Sequence, residues 1–231
     1  MCSFVCLKKP NEMKKNTLTL SALCLLFLGS CGSKPTEPVE TQPDENQQTE
    51  TEAPIEELSD ACMYTLVEDS TAISWTAYKF LSKAGVGGKF TEVTLAPLVD
   101  QGTFGELLNG LQFKIPTSSS NSNNEPRDIK IAEHFWANMS GNEWVQGEII
   151  GMAGNETEGE LTIKITLNEV EKEVTATYAM AETGHITINT TLDLSLFSGE
   201  PALEALNKVC EDLHKENPEE ESVLWPDVSV E

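Results

Sequence analysis

The chain has 231 residues, with 15 Lys and Arg against 38 Asp and Glu, for a formal net charge of −23. That length suits one ordinary domain with appendages, and so large an acid excess repels phosphate backbones and anionic surfaces, which excludes a nucleic-acid role. Hydrophobic residues make up 39%, enough for a folded core, and no run of 18 apolar residues supplies a membrane-spanning helix.

Met13-Lys14-Lys15 opens a basic region, residues 18–28 form an apolar core, and Gly29-Ser30-Cys31 follows. Charge, a short apolar core and then small residues is the order of a secretory signal, here over residues 1–30. Leu28-Gly29-Ser30-Cys31 has the form of a bacterial lipobox, in which cleavage precedes a cysteine that carries a diacylglyceryl group. The acyl methylenes then tether a soluble domain to a membrane. The other reading is an ordinary secretory signal with an incidental cysteine. Residues 1–12, with Cys2 and Cys6, do not fit a signal and read as an upstream translation start that is not used. Residues 31–60 hold the lipidated Cys31 and then an acidic, proline-rich stretch with almost no large apolar side chain. Such a segment is expected to stay disordered and, at roughly 5–6 Å × √n, to reach a few nanometres as a spacer. The expected location is the bacterial cell envelope, anchored at the outer membrane on its periplasmic or surface face.

Cys2, Cys6 and Cys24 leave with such a leader and Cys31 is acylated, so Cys62 and Cys210 are the cysteines of the domain at 61–231. They stand near its two ends in a compartment that permits disulfides. A Cys62–Cys210 bridge is expected; a pair of buried thiols is the alternative. The absence of a Cys-x-x-Cys pair argues against a redox role.

From Met63 onward the pattern has period two. Ile73, Trp75 and Ala77 fall on one face of a strand, Gly85-Val86-Gly87-Gly88 interrupts as a flexible turn, and residues 90–95 resume. Leu111, Phe113 and Ile115 alternate with polar residues, residues 143–150 form a short strand, and Leu161, Ile163, Ile165 and Leu167 give the clearest alternation. A polar turn at Asn168-Glu169 leads to Val174, Ala176, Tyr178 and Met180, then to Ile186, Ile188, Thr190, Leu192 and Leu194. Many short half-apolar strands separated by turn signals indicate an antiparallel sandwich or barrel. Three stretches are helical: residues 104–108; residues 128–139, with Ile131, Phe135 and Met139 four apart; and residues 201–215, with Leu203, Leu206, Cys210 and Leu213 on one face and Pro201 in the first turn. Residues 223–230 return to strand, where Pro226 restricts them to an edge or a barrel seam.

Catalytic patterns are missing. His134, His185 and His214 stand in no metal-ligand spacing; His134 flanks an apolar helix stripe, His185 starts a strand and His214 sits at an acidic helix end. No Gly-x-Ser-x-Gly elbow occurs, and no Lys-Ser/Thr follows the glycine cluster as a phosphate loop requires. No cofactor or metal is expected. The chain reads as a binder and not as an enzyme.

Ile73-Ser74-Trp75-Thr76-Ala77 followed by Lys79 and Gly85-Val86-Gly87-Gly88-Lys89-Phe90 resembles the opening of YceI-like domains. Phe113-Lys114-Ile115-Pro116-Thr117-Ser118-Ser119, then Arg127-Asp128-Ile129-Lys130-Ile131 and Phe135-Trp136, is similar to that family's middle, and Gly159-Glu160-Leu161-Thr162-Ile163 with Lys172-Glu173-Val174 to its hairpin. The resemblance covers roughly residues 63–230. It implies an extended lipocalin-like antiparallel β-barrel with two or three short helices near its mouth, whose interior takes a long isoprenoid chain. Phe135-Trp136 stands in place of a common Phe-Phe, and the helix carrying Cys210 looks like an addition. Candidates for the ligand lining are Trp75, Phe113, Ile115, Phe135, Leu161, Ile163, Tyr178 and Ile188, with ordinary core packing the other reading for each. The function this implies is a membrane-tethered carrier of an isoprenoid-type or other long apolar lipid. The alternative is a lipoprotein with a filled core that acts through its acidic surface; hydrolysis at a shallow acidic site is a third reading.

Overall fold

Residues 161–167 alternate because their strand has two unlike environments. In β9 (Glu158–Leu167) the side chains of Leu161, Ile163, Ile165 and Leu167 are buried, while Thr162, Lys164 and Thr166 between them are half-buried. The structure is a computed structural model that describes Cys2–Leu7 and residues 62–231; Cys31, the rest of the leader and the tether lie outside the described residues. β9 pairs antiparallel with β8 (Trp144–Gly154) on one side and β10 (Val170–Met180) on the other. The β9–β10 turn is Asn168-Glu169, with φ of +54° and +59°, the twist that a two-residue hairpin turn needs. Asn168 tolerates that conformation and uses its side chain as a brace: Nδ2 donates to Phe197 O at 2.8 Å and Ser198 O at 3.0 Å, and Oδ1 accepts from Ser140 N at 2.6 Å.

The antiparallel order continues from β10 through β11 (His185–Asp193), β12 (Leu224–Val230), β3 (Ile73–Lys79) and β4 (Ala84–Phe90). β5 (Thr94–Ala96) follows β4 and pairs with β6 (Gln112–Pro116), which pairs with β8. β7 (Ser120–Asn121) follows β6 and pairs with β4, and between these two pairings Thr91 N donates to Ser119 O at 3.0 Å. The ladder therefore runs round to itself as a curled antiparallel barrel. Two irregularities bend it, one between Ile149 and Gly151 in β8 and one between Leu224 and Val228 in β12, since an extra residue in one strand kinks the pair. The second corrects the expectation for Pro226. β12 lies between β11 and β3 and is no edge, but residues 225–226 have no ladder partner, so the missing proline N–H is not needed. The glycine cluster is also corrected: residues 85–88 are part of β4, paired residue for residue with β3, and the turn lies before them, where Phe80 and Lys83 have positive φ.

One end of the barrel is closed by α1 (Phe104–Leu108), which joins β5 to β6. Thr103 and Glu106 cap it reciprocally, which satisfies two orphan amides of its first turn. Phe104, Leu107 and Leu108 are fully buried, with the Phe104 ring 6.0 Å from Tyr64 and 5.6 Å from Tyr178. Tyr64 belongs to β2 (Met63–Val67), which bonds to Gly102 in both directions at 2.8 and 3.2 Å. β1 (Cys2–Leu7) pairs along β2 and reaches β11 at Ser3 and His185, so the stretch read as an upstream start has a place at this end of the sheet.

The other end carries two helical connections. Residues 125–138 form α2 (Glu125–Lys130), a π-turn (Ile131–Phe135) and a 3-10 turn (Trp136–Asn138) in place of the one helix expected over 128–139. Asn124 caps α2 by accepting from Arg127 N at 3.0 Å, and Pro126 occupies the first turn, which is why the helix starts three residues early. α3 (Glu200–Val209) starts one residue before Pro201, which stands in its first turn as expected, but its continuation is a 3-10 turn (Glu211–Leu213) that rotates Leu213 outward to 57% exposure. Cys210 is a buried free thiol, so the expected Cys62–Cys210 bridge is not formed. Cys62 leads into β2 beside α1, whereas Cys210 closes α3 at the opposite end of the barrel.

Asn168→Ala removes the brace and puts a residue less tolerant of the left-handed region than asparagine at φ +54°; unfolding in urea should show a loss of about 1–3 kcal/mol, and Asn168→Asp should lose no less, because its carboxylate would replace two N–H donations with oxygens facing the carbonyls of Phe197 and Ser198.

Candidate functional site

Between the two closures the barrel is not filled. A cavity of about 250 Å³ remains, walled almost wholly by aliphatic and aromatic side chains. Of the expected lining, Trp75, Phe113, Ile115, Phe135, Ile163 and Ile188 border it. Leu161 and Tyr178 do not. Both sit at the α1 end, where Leu161 is fully buried and Tyr178 packs on Phe104 and donates from Oη to Asn155 O at 2.5 Å. They share a strand face with the lining residues but belong to the plug beneath the cavity, so the core-packing reading holds for those two.

The cavity stays open because of two glycines. Trp75 stands opposite Gly88 across β3 and β4, and Phe113 stands opposite Gly147 across β6 and β8. A Cβ on Gly88 would lie 2.2 Å from Trp75 Cζ2 and 2.5 Å from Cε2, and one on Gly147 would lie 2.5 Å from Phe113 Cζ. Each ring therefore extends across the neighbouring strand, over the space a side chain would take, and not into the middle of the barrel. An aromatic ring over a cross-strand glycine recovers the contact the glycine lacks.

The far wall comes from elements that the alternation alone does not mark as lining. β12 contributes Leu224, Trp225, Val228 and Val230; α3 contributes Leu203 and Leu206; and the irregular helical stretch contributes Ile131, Phe135 and Trp136. Phe135 and Trp136 meet edge to face at 4.9 Å, and Trp136 also lies 6.4 Å from Phe90. The periodicity of 203 and 206 and the strand at 223–230 were visible in the sequence, but not that both turn toward one space. No Lys, Arg or His lies among the lining residues, and Glu231, paired through its backbone with Ser74, is the single ionisable residue there. The chemistry on offer is burial of a long apolar chain. Among the described residues no three His, Cys, Asp or Glu side chains are grouped as a metal requires.

His214 is a residue whose role the sequence hides. It is 8% exposed, and its Nδ1 lies 2.7 Å from Asn207 Oδ1 on α3. Asn207 Nδ2 donates to Ser222 O at 3.1 Å, Ser222 Oγ donates to Asn207 Oδ1 at 2.7 Å, and Val223 N donates to His214 O at 3.1 Å. This network ties α3 to the chain just before Leu224 and Trp225 enter the cavity wall. Burial, assisted by the positive charges of Lys79 and Lys130, lowers the His214 pKa from 6.5 to about 4. His185 is exposed at the start of β11, after Gly184, as expected.

A family profile of the YceI-like domain matches residues 64–218. No curated protein matches the chain. Among solved structures it is similar to a polyisoprenoid-binding domain from Saccharophagus degradans implicated in plant cell wall breakdown, at 11% identity over 69% of this chain and 88% of that one, with a TM-score of 0.49. It is also similar to Burkholderia cenocepacia BcnA, at 15% identity over 69% and 91%, TM-score 0.49, and to a Campylobacter jejuni YCEI protein, at 18% identity over 52% and 75%, TM-score 0.40.

Gly88→Ala should shift the tryptophan emission and lower stability by about 1–3 kcal/mol, and the loss should fall by at least half when measured in a Trp75→Leu background, because the clash is with that ring. The pH dependence of His214 has a defined sign. Its folded pKa is depressed, so the unfolded chain takes up the proton first. The stability from the neutral imidazole is complete above about pH 6.5 and drains away as pH falls toward 4, by about 2 kcal/mol. His214→Asn, which retains a donor to Asn207 and cannot titrate, should show a shallower decline in urea unfolding between pH 6.5 and 4.

Proposed function

The chain belongs to the YceI-like domain family, and from its cavity we propose that it is a lipid-anchored envelope protein that holds or carries an isoprenoid-type or other long apolar lipid inside the barrel. The observation that carries this reading is the unfilled space itself. A core of this size normally packs to the density of an organic crystal, and a lipoprotein acting only through its acidic surface would have no use for a hollow interior. Ligand sites are concave, mostly apolar and already formed before the ligand arrives, and a barrel of about eight strands is wide enough to hold one. The family resemblance supports an isoprenoid chain as the cargo. The reading is one of binding, since the described lining is almost wholly aliphatic and aromatic.

Anchoring is part of the same proposal and rests on Leu28-Gly29-Ser30-Cys31, ahead of an acidic spacer. Cleavage before Cys31 would take β1 with the leader. β2 would then keep its place through the Gly102 bonds and through Tyr64 Oη, which donates to Glu156 Oε2 at 2.9 Å. Of the described residues, no helix is long and apolar enough to cross a membrane.

Native mass spectrometry with lipid extraction, on protein purified from bacterial cells without detergent, should show a discrete adduct of isoprenoid mass. A bare mass that stays unchanged after incubation with polyprenyl lipids overturns the carrier. Ile188→Glu should lose the adduct, because it sets an unpaired charge on the apolar wall. Cys31→Ala should move the protein from the membrane to the soluble fraction after cell lysis.

A further inference from the structure

The cations of this acidic chain are not all placed alike. Among the described residues five are half-buried: Lys79, Arg127, Lys130, Lys164 and Lys215. Lys164 lies 3.9 Å from Glu148 and 3.8 Å from Glu171, and Lys215 bonds Glu211 at 2.5 Å. Lys79, Arg127 and Lys130 have no carboxylate partner among the described residues, although the chain holds 38 acidic residues to 15 basic ones. These three stand together. Arg127 and Lys130 are three apart on α2 and share a face, and α2 runs into the π-turn that packs on α3. Lys79 ends β3, and its Nζ donates to Leu213 O at 2.8 Å, beside His214. Burial and then the Arg127 charge lower the pKa of Lys79, while burial and then Lys79 and Lys130 lower that of His214. None of the four residues lines the cavity.

Two ordinary explanations fail. Basic residues in the last turn of a helix answer its open carbonyls, but α2 continues into the π-turn, and Ile131 N donates to Arg127 O and Asp128 O. The neighbouring carboxylates are engaged elsewhere. Asp128 accepts from Ser122 N and Oγ at 2.9 and 2.6 Å, Glu216 accepts from Ser82 Oγ at 2.7 Å, Glu211 holds Lys215, and Asp227 holds Lys83. Taking a cation partly out of water without a counter-charge is unfavourable, and grouping like charges makes it more so. An oxyanion set among them relieves both. Arg127 is also the only arginine in the chain, and a guanidinium presents paired donors that match the edge of a phosphate. We propose that Lys79, Arg127 and Lys130 form a binding site for a phosphate-type oxyanion outside the cavity, which when filled ties α2 to the end of β3. The net charge of −23 repels an anionic membrane surface, so the source this site favours is a small phosphate-bearing solute and not a lipid headgroup. The site is independent of what the barrel holds.

The test uses the full chain, 15N-labelled, in buffer free of phosphate and sulfate. Inorganic phosphate at millimolar concentration should shift the Nε–H resonance of Arg127, the single arginine signal, and sodium chloride of the same ionic strength should not. In isothermal titration calorimetry Arg127→Gln should weaken phosphate binding about tenfold or more, the worth of a hydrogen bond between charged groups, and Lys130→Gln should do the same. Lys172→Gln makes the same charge change on β10, three strands from β3, and should stay within about twofold of the wild type, because a distant exposed charge is screened. Phosphate should raise the unfolding midpoint of the wild type and not that of Arg127→Gln, since only a bound anion bridges α2 and β3. Cosedimentation with phosphatidylglycerol vesicles separates the two sources of phosphate. Vesicle binding that Arg127→Gln abolishes, without any response to inorganic phosphate, overturns the small-solute assignment. An unmoved arginine resonance with no vesicle binding, or equal phosphate affinity in the wild type and both cluster variants, overturns the site.

Discussion

The interior of this barrel depends on where two aromatic rings are allowed to go. Trp75 and Phe113 are among the largest side chains on the inner face, and either could fill the space at its centre. Each is instead carried across the adjacent strand because its cross-strand neighbour, Gly88 or Gly147, has no Cβ. Burying a ring is favourable wherever it is buried, at about 25 cal/mol per Å² of apolar surface, so the choice between filling the barrel and lining it is made by local sterics. The glycines make that choice, and the cavity follows from it.

The two ends of the barrel are closed by different means. At the α1 end, Phe104, Leu107 and Leu108 pack into a solid plug with Tyr64, Leu161 and Tyr178. At the other end, α3 and the stretch through Trp136 cover the cavity with side chains that themselves line it. The π-turn at Ile131–Phe135 is a wider winding than an α-helix, of the kind found often at functional sites. Here it carries Ile131 and Phe135 to the cavity, with Trp136 following. α3 is tied to β12 by the Asn207, Ser222 and His214 network, so the helical cover and one barrel wall form one mechanical unit.

Much of the fold was legible in the chain. The alternation at 161–167 and 186–192, the turn at 168–169 and the helical turn at 104–108 are local patterns, and each appears where it was expected. The errors share a cause. Gly85 to Gly88 read as a turn because glycine is weak in strands, yet its partner's ring supplies the missing contact. Pro226 read as the mark of an edge or a barrel seam, yet a bulge between two paired strands serves the same need. Leu213 and Cys210 read as one helical face, yet the helix stops between the periodic positions. In the site, six of eight expected lining residues border the cavity; Leu161 and Tyr178 have the same period and the same inward face as their neighbours, and only depth along the barrel separates them.

What the sequence determined by itself was the kind of molecule: an antiparallel barrel of alternating strands in the YceI-like family. Those properties come from short-range patterns, where the residue type and its immediate neighbours carry the physics. The tertiary structure decided that the barrel is hollow, which inward residues line the hollow, that Cys62 and Cys210 lie at opposite ends, and that His214 is buried and neutral. Each of these depends on what stands opposite a side chain across the barrel, and residues far apart in the chain meet there in a register that no local period records.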